Sequence, residues 1–420
     1  MPDRRFHLAW FMNFSNPPWN GQWAGRDGRE WPNGKFHVDF ARALERACFD
    51  YMMLEDSSMV SDQYEGSSRV DLKYGLYAPK HDPVMLAPVL AAATRHLGIV
   101  ATCSTSFYPP EILARRFHTL DHLSRGRIGW NIVTSSEDRA AQNFGLPRLP
   151  EHDKRYEMAD EYVDAVEQYW SAAPVDPADP LPSIQVKGSY VRMDATVPGP
   201  RSPQGRPVYC QAGGSPRGRR FAGEHTDTLL TGAGSGNRSM KEFRDDIRSC
   251  AAAAGRDPDA VKVLFITSPI LGDTIEEARA KRRAMEAAID SRIESTLGHI
   301  GALTDNDLSG VPLDEPFGDL KTNGHRTTLA DFMSYGDTPR EAALGWSMKN
   351  VRFVGTPDSV AEEMGEVMDD VGGDGFLISG GITRRYLAEI TDGLVPALQR
   401  RGLVRSNYEY ATLRENLMQF

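Results

Sequence analysis

The run Gln211-Ala-Gly-Gly-Ser-Pro-Arg-Gly218 carries residue types that could do chemistry together. An apolar segment, Pro207–Gln211, ends there as a strand. Gly213 and Gly214 let backbone approach a ligand, and Pro216 suits the first turn of a helix. Backbone amides and the Ser215 hydroxyl would then face an anion such as a phosphate, which the helix dipole also favours. A tight strand-to-helix turn with no ligand satisfies the same residues equally well. His152 and Tyr156 lie four apart at the start of another helical stretch and share one face, so both could donate to such an anion. A solvated first turn is the alternative.

Small polar residues also stand where apolar runs end. Asp56 follows the strand Tyr51–Leu54, Thr102 ends Leu97–Thr102, and Asn131 to Ser135 end Arg127–Val133. Consecutive strand ends of this kind build a pocket, although each residue alone could be a turn former or a cap. His118 and His122 have the spacing of two metal ligands on a helix, but no third ligand accompanies them, and no metal is expected. Trp19, Trp23 and Trp31 crowd the loop between about 17 and 34, either as a lid over an aromatic ligand or as a cluster packed on a rim. The stretch Gly232-Ala-Gly-Ser-Gly-Asn237 fails the dinucleotide spacing, because Asn237 takes the last glycine position. No P-loop, HExxH or GxSxG pattern is present, nor any other nicotinamide fingerprint.

The elements that must position these residues alternate between strand and helix. Phe6–Phe11, Tyr51–Leu54, Leu97–Thr102, Arg127–Val133, Pro207–Gln211, Thr228–Leu230, Val261–Ile270 and Gly375–Ser379 read as strands. Helical periodicity falls between them: His37–Cys48, Asp82–His96, the run opened by Pro109 and Pro110, Glu151–Trp170, Lys241–Ala254, Ile275–Leu297, Pro357–Val371 and Arg384–Arg400. Pro174–Pro203 reads as irregular. This alternation predicts a parallel sheet with helical crossovers, either an open doubly wound sheet or, favoured by length and spacing, a closed (β/α)8 barrel. The extra length falls in an insertion at about 298–349 and an extension at about 402–420, so that residues 1–420 form a single barrel domain.

Charge and cysteine use narrow the partners. The chain has 48 basic and 58 acidic side chains, a net charge of −10, which argues against nucleic acid and anionic membranes. Its four cysteines form no CxxC pair, and neither a signal peptide nor an apolar span is read, so a cytoplasmic location is expected.

Arg127-Ile-Gly-Trp-Asn-Ile-Val-Thr-Ser135, followed by Ala140-Ala-Gln-Asn-Phe-Gly145, closely resembles a segment of the bacterial luciferase-like flavin monooxygenases. The resemblance is to the branch that holds nitrilotriacetate monooxygenase component A, dibenzothiophene sulfone monooxygenase and the pristinamycin IIA synthase large subunit. Ala101–Tyr108, His152–Tyr156, Gln211–Ser215, Val354–Pro357, Gly372–Phe376, Leu398–Gly402 and Thr412–Asn416 agree with it in the same order. It implies a TIM barrel with insertions and FMN as cofactor, used as FMNH2 with O2 as co-substrate. It also implies a separate NAD(P)H:FMN reductase as partner, a small organosulfur, amino-carboxylate or heteroaromatic substrate, and a homodimer or homotetramer. By position, Asp56, Thr102, His152, Tyr156, Gly214 and Ser215 correspond to flavin contacts. Asn131 and Ser135 would face the flavin, and His325 in the insertion is a candidate acid/base group. Dehydrogenation or oxidation of a natural-product ring, or a non-catalytic flavin-binding barrel, are the other functions considered. Glu55, where a small residue is common, and Ile378–Ile382 depart from the branch in segments that shape the substrate pocket.

Overall fold

The computed structural model describes residues 5–15, 30–232 and 236–420, and within it eight parallel strands close a ring in chain order. They are β1 (His7–Asn13), β2 (Tyr51–Glu55), β3 (Gly98–Ser104), β4 (Ile128–Val133), β5 (Val208–Gln211), β6 (Thr228–Gly232), β7 (Lys262–Thr267) and β8 (Gly375–Ile378). β8 returns to β1 with His7 opposite Gly375 and Trp10 opposite Ile378. The helical layer is α1 (Lys35–Arg46), α2 (Pro83–Ala93), α3 (Pro110–Ser124), α4 (His152–Ala172), α5 (Pro216–His225), α6 (Asn237–Ala253), α7 (Pro357–Val371) and α8, which spans 384–400 through a π-helical turn at Glu389–Leu394. The predicted (β/α)8 barrel is therefore the observed architecture.

Strand alternation sorts side chains between two cores. Tyr51, Met53, Val100, Val208, Cys210, Leu264 and Leu377 fill the barrel interior. Their neighbours Met52, Leu54, Ile99, Ala101, Tyr209 and Phe376 pack outward under the helices. The Arg127–Ser135 run shows what each position is for. A Cβ on Gly129 would lie 2.8 Å from Val100 Cγ2 and 3.1 Å from the Val208 carbonyl, so only glycine fits inside the ring there. Trp130 points outward, donates to the Cys103 carbonyl at 2.8 Å and packs edge-on to Tyr209 and Trp170. Buried Arg127 donates to the carbonyls of Ala91 and Leu97 and to Thr94 Oγ1, closing the C-terminal end of α2.

The C-terminal residues are not a polar appendage but the floor of the barrel. A short helix, Leu413–Leu417, buries Leu413 and Leu417 among the interior strand residues. Arg405 reaches Asp50 at 2.7 Å, His7 Nδ1 meets the same carboxylate at 2.9 Å, and the His7 ring stacks on Phe420 at 4.4 Å. Gly98 is where this floor presses closest: an added Cβ would sit 2.5 Å from Leu413 Cδ1 and 2.8 Å from the Asp50 carbonyl. A Gly98→Ala variant is expected to lose about 1–3 kcal/mol of stability through overpacking, read as a lower urea midpoint; an unchanged midpoint would show that the floor yields.

Other elements differ from expectation. The proline-rich stretch 174–203 contains an antiparallel hairpin, Ser183–Lys187 against Arg192–Thr196. Its inner residues Ile184, Val186, Met193 and Ala195 lie on the core, and the prolines that make the stretch read as irregular flank the hairpin without interrupting it. The helix read over Ile275–Leu297 is two, Ile275–Asp290 and Ile293–Thr304. The break lets Leu297 and Ile300 join Phe332, Ala342 and Ala343 in a separate small core, which also carries helices Arg326–Met333 and Pro339–Met348. Trp31 is buried against Phe14 and His81; Trp19, Trp23 and the Ala233–Ser235 part of the glycine loop lie outside the described residues. Among the described residues no helix is long and apolar enough to cross a membrane.

Candidate active site

The inward face of three adjacent strands turns polar as it nears the C-terminal mouth. After Tyr51 and Met53 comes Glu55; after Val100 come Thr102 and Ser104; after Gly129 comes Asn131. Register places Asn131 opposite Thr102, and Asn131 Nδ2 donates to Thr102 Oγ1 at 2.8 Å. That bond fixes the amide so that Oδ1, buried and without a protein partner among the described residues, is an acceptor for a ligand N–H. Just above, Ser104 and Ser135 share a hydroxyl–hydroxyl contact of 2.8 Å, and Ser135 holds φ +58°, a left-handed turn that swings the chain off β4.

The second part of the site is the turn from β5 into α5. Ser215 caps α5, its Oγ accepting from Gly218 N at 3.1 Å and lying 3.4 Å from His152 Nε2. His152 Nδ1 is engaged by Asp153 at 2.6 Å. Tyr156, one turn along α4, accepts from Gln211 Nε2 at 3.2 Å, which leaves its own proton to donate. The glycines leave room for the side chains that line the turn: a Cβ on Gly213 would fall 2.2 Å from Gln211 Nε2 and 2.9 Å from Tyr156 Oη. Gly214 lies under Thr327, whose Cγ2 would be 3.1 Å from an added Cβ. The insertion therefore roofs this turn, and Asn323 ties it down, accepting from His152 N at 3.2 Å and from Arg155 at 3.1 Å. The helix N-terminus, two hydroxyls and an imidazole form a cradle that could hold an anion. Arg217 braces it from behind, pairing with Asp160 and lying 5.3 Å from the Tyr156 ring centre.

Titratable groups gather at the same mouth. Lys80 Nζ lies 3.3 Å from each Glu55 oxygen, 2.8 Å from Ser57 Oγ and 3.8 Å from Asp56. Burial pushes the Glu55 carboxyl up, against the pull of Lys80. Tyr77 Oη bonds His299 Nδ1 at 3.1 Å and the two rings stack. Burial, with the positive charges of Lys349 and Lys80, lowers His299 to about 4, so the ring is neutral near pH 7. Glu137 is buried, bonded by Ser136 Oγ at 2.6 Å, and raised by that burial. His325 Nε2 is 3.8 Å from Glu137, and its side chain is half exposed. The surrounding protein, with the charges of Arg155 and His152, pushes the ring below the usual histidine range.

Of the residues singled out from sequence, the structure pairs Asn131 with Thr102, Ser135 with Ser104, and Ser215 with His152, with Tyr156 and Gly214 in the same cradle. Asp56 reaches the group only through Lys80; its carboxylate is turned into its own loop, bound by Ser58 N and Oγ. His325 stands apart on the insertion, beside Glu137. His118 and His122 contact each other on α3. Glu55, marked in the sequence as a departure in a pocket-shaping segment, stands at this mouth on the inward alternation Tyr51, Met53, Glu55. Sequence reading passed over Tyr77, Lys80, Glu137 and His299, which no local signal marks.

A closed parallel barrel with its polar groups gathered where strands end is an enzyme of the (β/α)8 class. The luciferase-like monooxygenase family matches residues 6–375. A dibenzothiophene-sulfone monooxygenase from Rhodococcus erythropolis (strain XP) is 34% identical over 442 residues, covering 99% of this chain and 96% of that protein. A long-chain alkane monooxygenase from Geobacillus thermodenitrificans (strain NG80-2) is 33% identical over 434 residues, covering 99% and 94%. A crystal structure of a riboflavin lyase with modified FMN and riboflavin aligns at TM-score 0.90 and 31% identity, over 99% of this chain and 96% of that one. The chain belongs to the luciferase-like monooxygenase family and is a monooxygenase.

Proposed function

We propose that the chain is the oxygenase of a two-component system, using FMNH2 from a separate NAD(P)H:FMN reductase to oxidise a small organic substrate with O2. The observation that carries this reading is the anion cradle of Gly213, Gly214 and Ser215, set beside a buried amide acceptor on Asn131. A cradle for a phosphate next to a fixed acceptor fits a phosphorylated planar cofactor. Reduced FMN supplies two electrons, so that one atom of O2 enters the substrate and the other leaves as water.

The chain's own residues bind, orient and manage protons. Ser215, Tyr156 and His152 grip the phosphate end, with the α5 amides. Asn131 Oδ1 accepts from the ring edge, and Thr102 keeps that amide from rotating. Ser135 and Ser104 line the adjoining wall. His299, held through Nδ1, keeps Nε2 for proton transfer, and His325 with Glu137 is a second proton-handling pair on the roof. The roof over Gly214 would shield the phosphate end from water. The test is to mix the protein with a flavin reductase, NADH, FMN and a panel of sulfones, amines and heteroaromatics under ¹⁸O₂. A product carrying one ¹⁸O atom, formed only when reductase and FMN are both present, is expected. A product without label would replace oxygenation by dehydrogenation, and no affinity for FMN would remove the reading.

A further inference from the structure

The mouth offers a substrate a carboxylate rather than a cation. Glu55 ends β2 on its inward face, two residues past Met53 and four past Tyr51. Its partner Lys80 is 6% exposed and donates to Glu55 and Ser57, with Asp56 3.8 Å away, whereas the Glu55 side chain keeps 26% of its surface open. Three further cations have carboxylates of their own: Lys349 lies 3.2 Å from Asp331, Arg139 3.6 Å from Asp62 and Arg326 3.9 Å from Glu151. Buried Arg155 belongs to the cradle side, donating to the carbonyls of Pro150 and Asn323. Among the described residues Lys80 is the cation in contact with Glu55.

We propose that Glu55 is the specificity-determining acceptor of this mouth, and that the substrate presents to it a protonated amine or the N–H of a nitrogen heterocycle. The Glu55 oxygens that Lys80 approaches retain lone pairs on the open side, and an N–H donor placed there gains a charge-assisted bond. A substrate carboxylate placed there meets like charge from Glu55. Of the substrate classes open to this chain, the nitrogen heterocycles and amines are thus selected over the polycarboxylates. The inference rests on the flavin reading above, since it takes the mouth as the place where substrate meets the cofactor.

The test uses the full chain loaded with oxidised FMN and three probes on one frame: benzylamine, benzyl methyl sulfone and phenylacetate. Binding is read from the perturbation of the flavin spectrum. Wild-type protein should bind benzylamine at least tenfold more tightly than phenylacetate, with the sulfone between them. Glu55→Gln, which keeps the shape and removes the charge, should bring amine and carboxylate to within threefold while FMN affinity stays unchanged. Equal binding of the three probes by wild type, preference for phenylacetate, or an unaltered ranking in E55Q would overturn the proposal while leaving the flavin reading intact. Failure of wild type to bind FMN would remove both.

Discussion

An Asp50→Ala variant loses about 3–5 kcal/mol of folding stability, the cost of stripping the partner from a buried charge, and melts far below wild type. Asp50 is 2% exposed and bonds Arg405 at 2.7 Å, His7 at 2.9 Å and Leu8 N at 2.9 Å. Removing it strands the Arg405 guanidinium, itself 3% exposed, in the barrel floor. Domains of this kind have only about 5–15 kcal/mol in hand. The pH dependence has a definite sign. Burial alone would raise the Asp50 carboxyl, but Arg405 and His7 hold it below the usual carboxylate range. Its stabilisation is therefore complete above the unfolded value of about 3.9 and disappears as pH falls through the lower folded value. Urea midpoints of wild type and Asp50→Ala measured from pH 7 down to pH 2 should converge at the acid end. A gap that stays constant with pH would assign the loss to packing rather than to the ion pair.

At the opposite end of the barrel, Ser215→Ala and Tyr156→Phe should each weaken FMN binding by roughly tenfold to a hundredfold, since a hydrogen bond to a charged group is worth about 1.5–3 kcal/mol. The double variant should lose more than either. Riboflavin is the control, because it carries the same ring without the phosphate. Both variants should bind it as wild type does, as measured by quenching of flavin fluorescence. If riboflavin and FMN affinities fall together, the cradle holds the ring and not the phosphate. The cradle geometry argues otherwise, since Ser215 Oγ and the α5 amides converge at a helix N-terminus.

The barrel was legible because two periodicities alternate along the chain, and the Arg127–Ser135 run was legible because each residue in it has a separate steric or polar task. Gly129, Trp130 and Asn131 alternate inward gap, outward packing and inward amide. The cradle was readable for the same local reason: Gly213, Gly214, Ser215 and Pro216 are contiguous. What escaped reading is long-range. Tyr77 meets His299 across 222 residues, and Lys80 meets Glu55 across 25. Neither pair has a spacing that marks it. The floor escaped for another reason: Leu413 and Leu417 look like isolated apolar residues in a polar stretch until the barrel interior beneath them is known. The hairpin at 183–196 contains no proline and alternates Ile184, Val186 and then Met193, Ala195; it was passed over because prolines crowd the stretches on either side.

The contact between His7 and Phe420 spans 413 residues, and β1 waits for β8, some 370 residues later, before the ring can shut. Ring closure and floor are thus both late events in synthesis, and contacts of such separation form slowly. Until they form, Tyr51, Val100 and Leu264 face water, and the Asp50 carboxylate lacks Arg405. Chains cut short before residue 405 will therefore be open, sticky and readily cut by proteases, whereas a released chain that includes the floor residues becomes resistant in one step. Protease resistance of a truncation series would show that the floor locks the barrel.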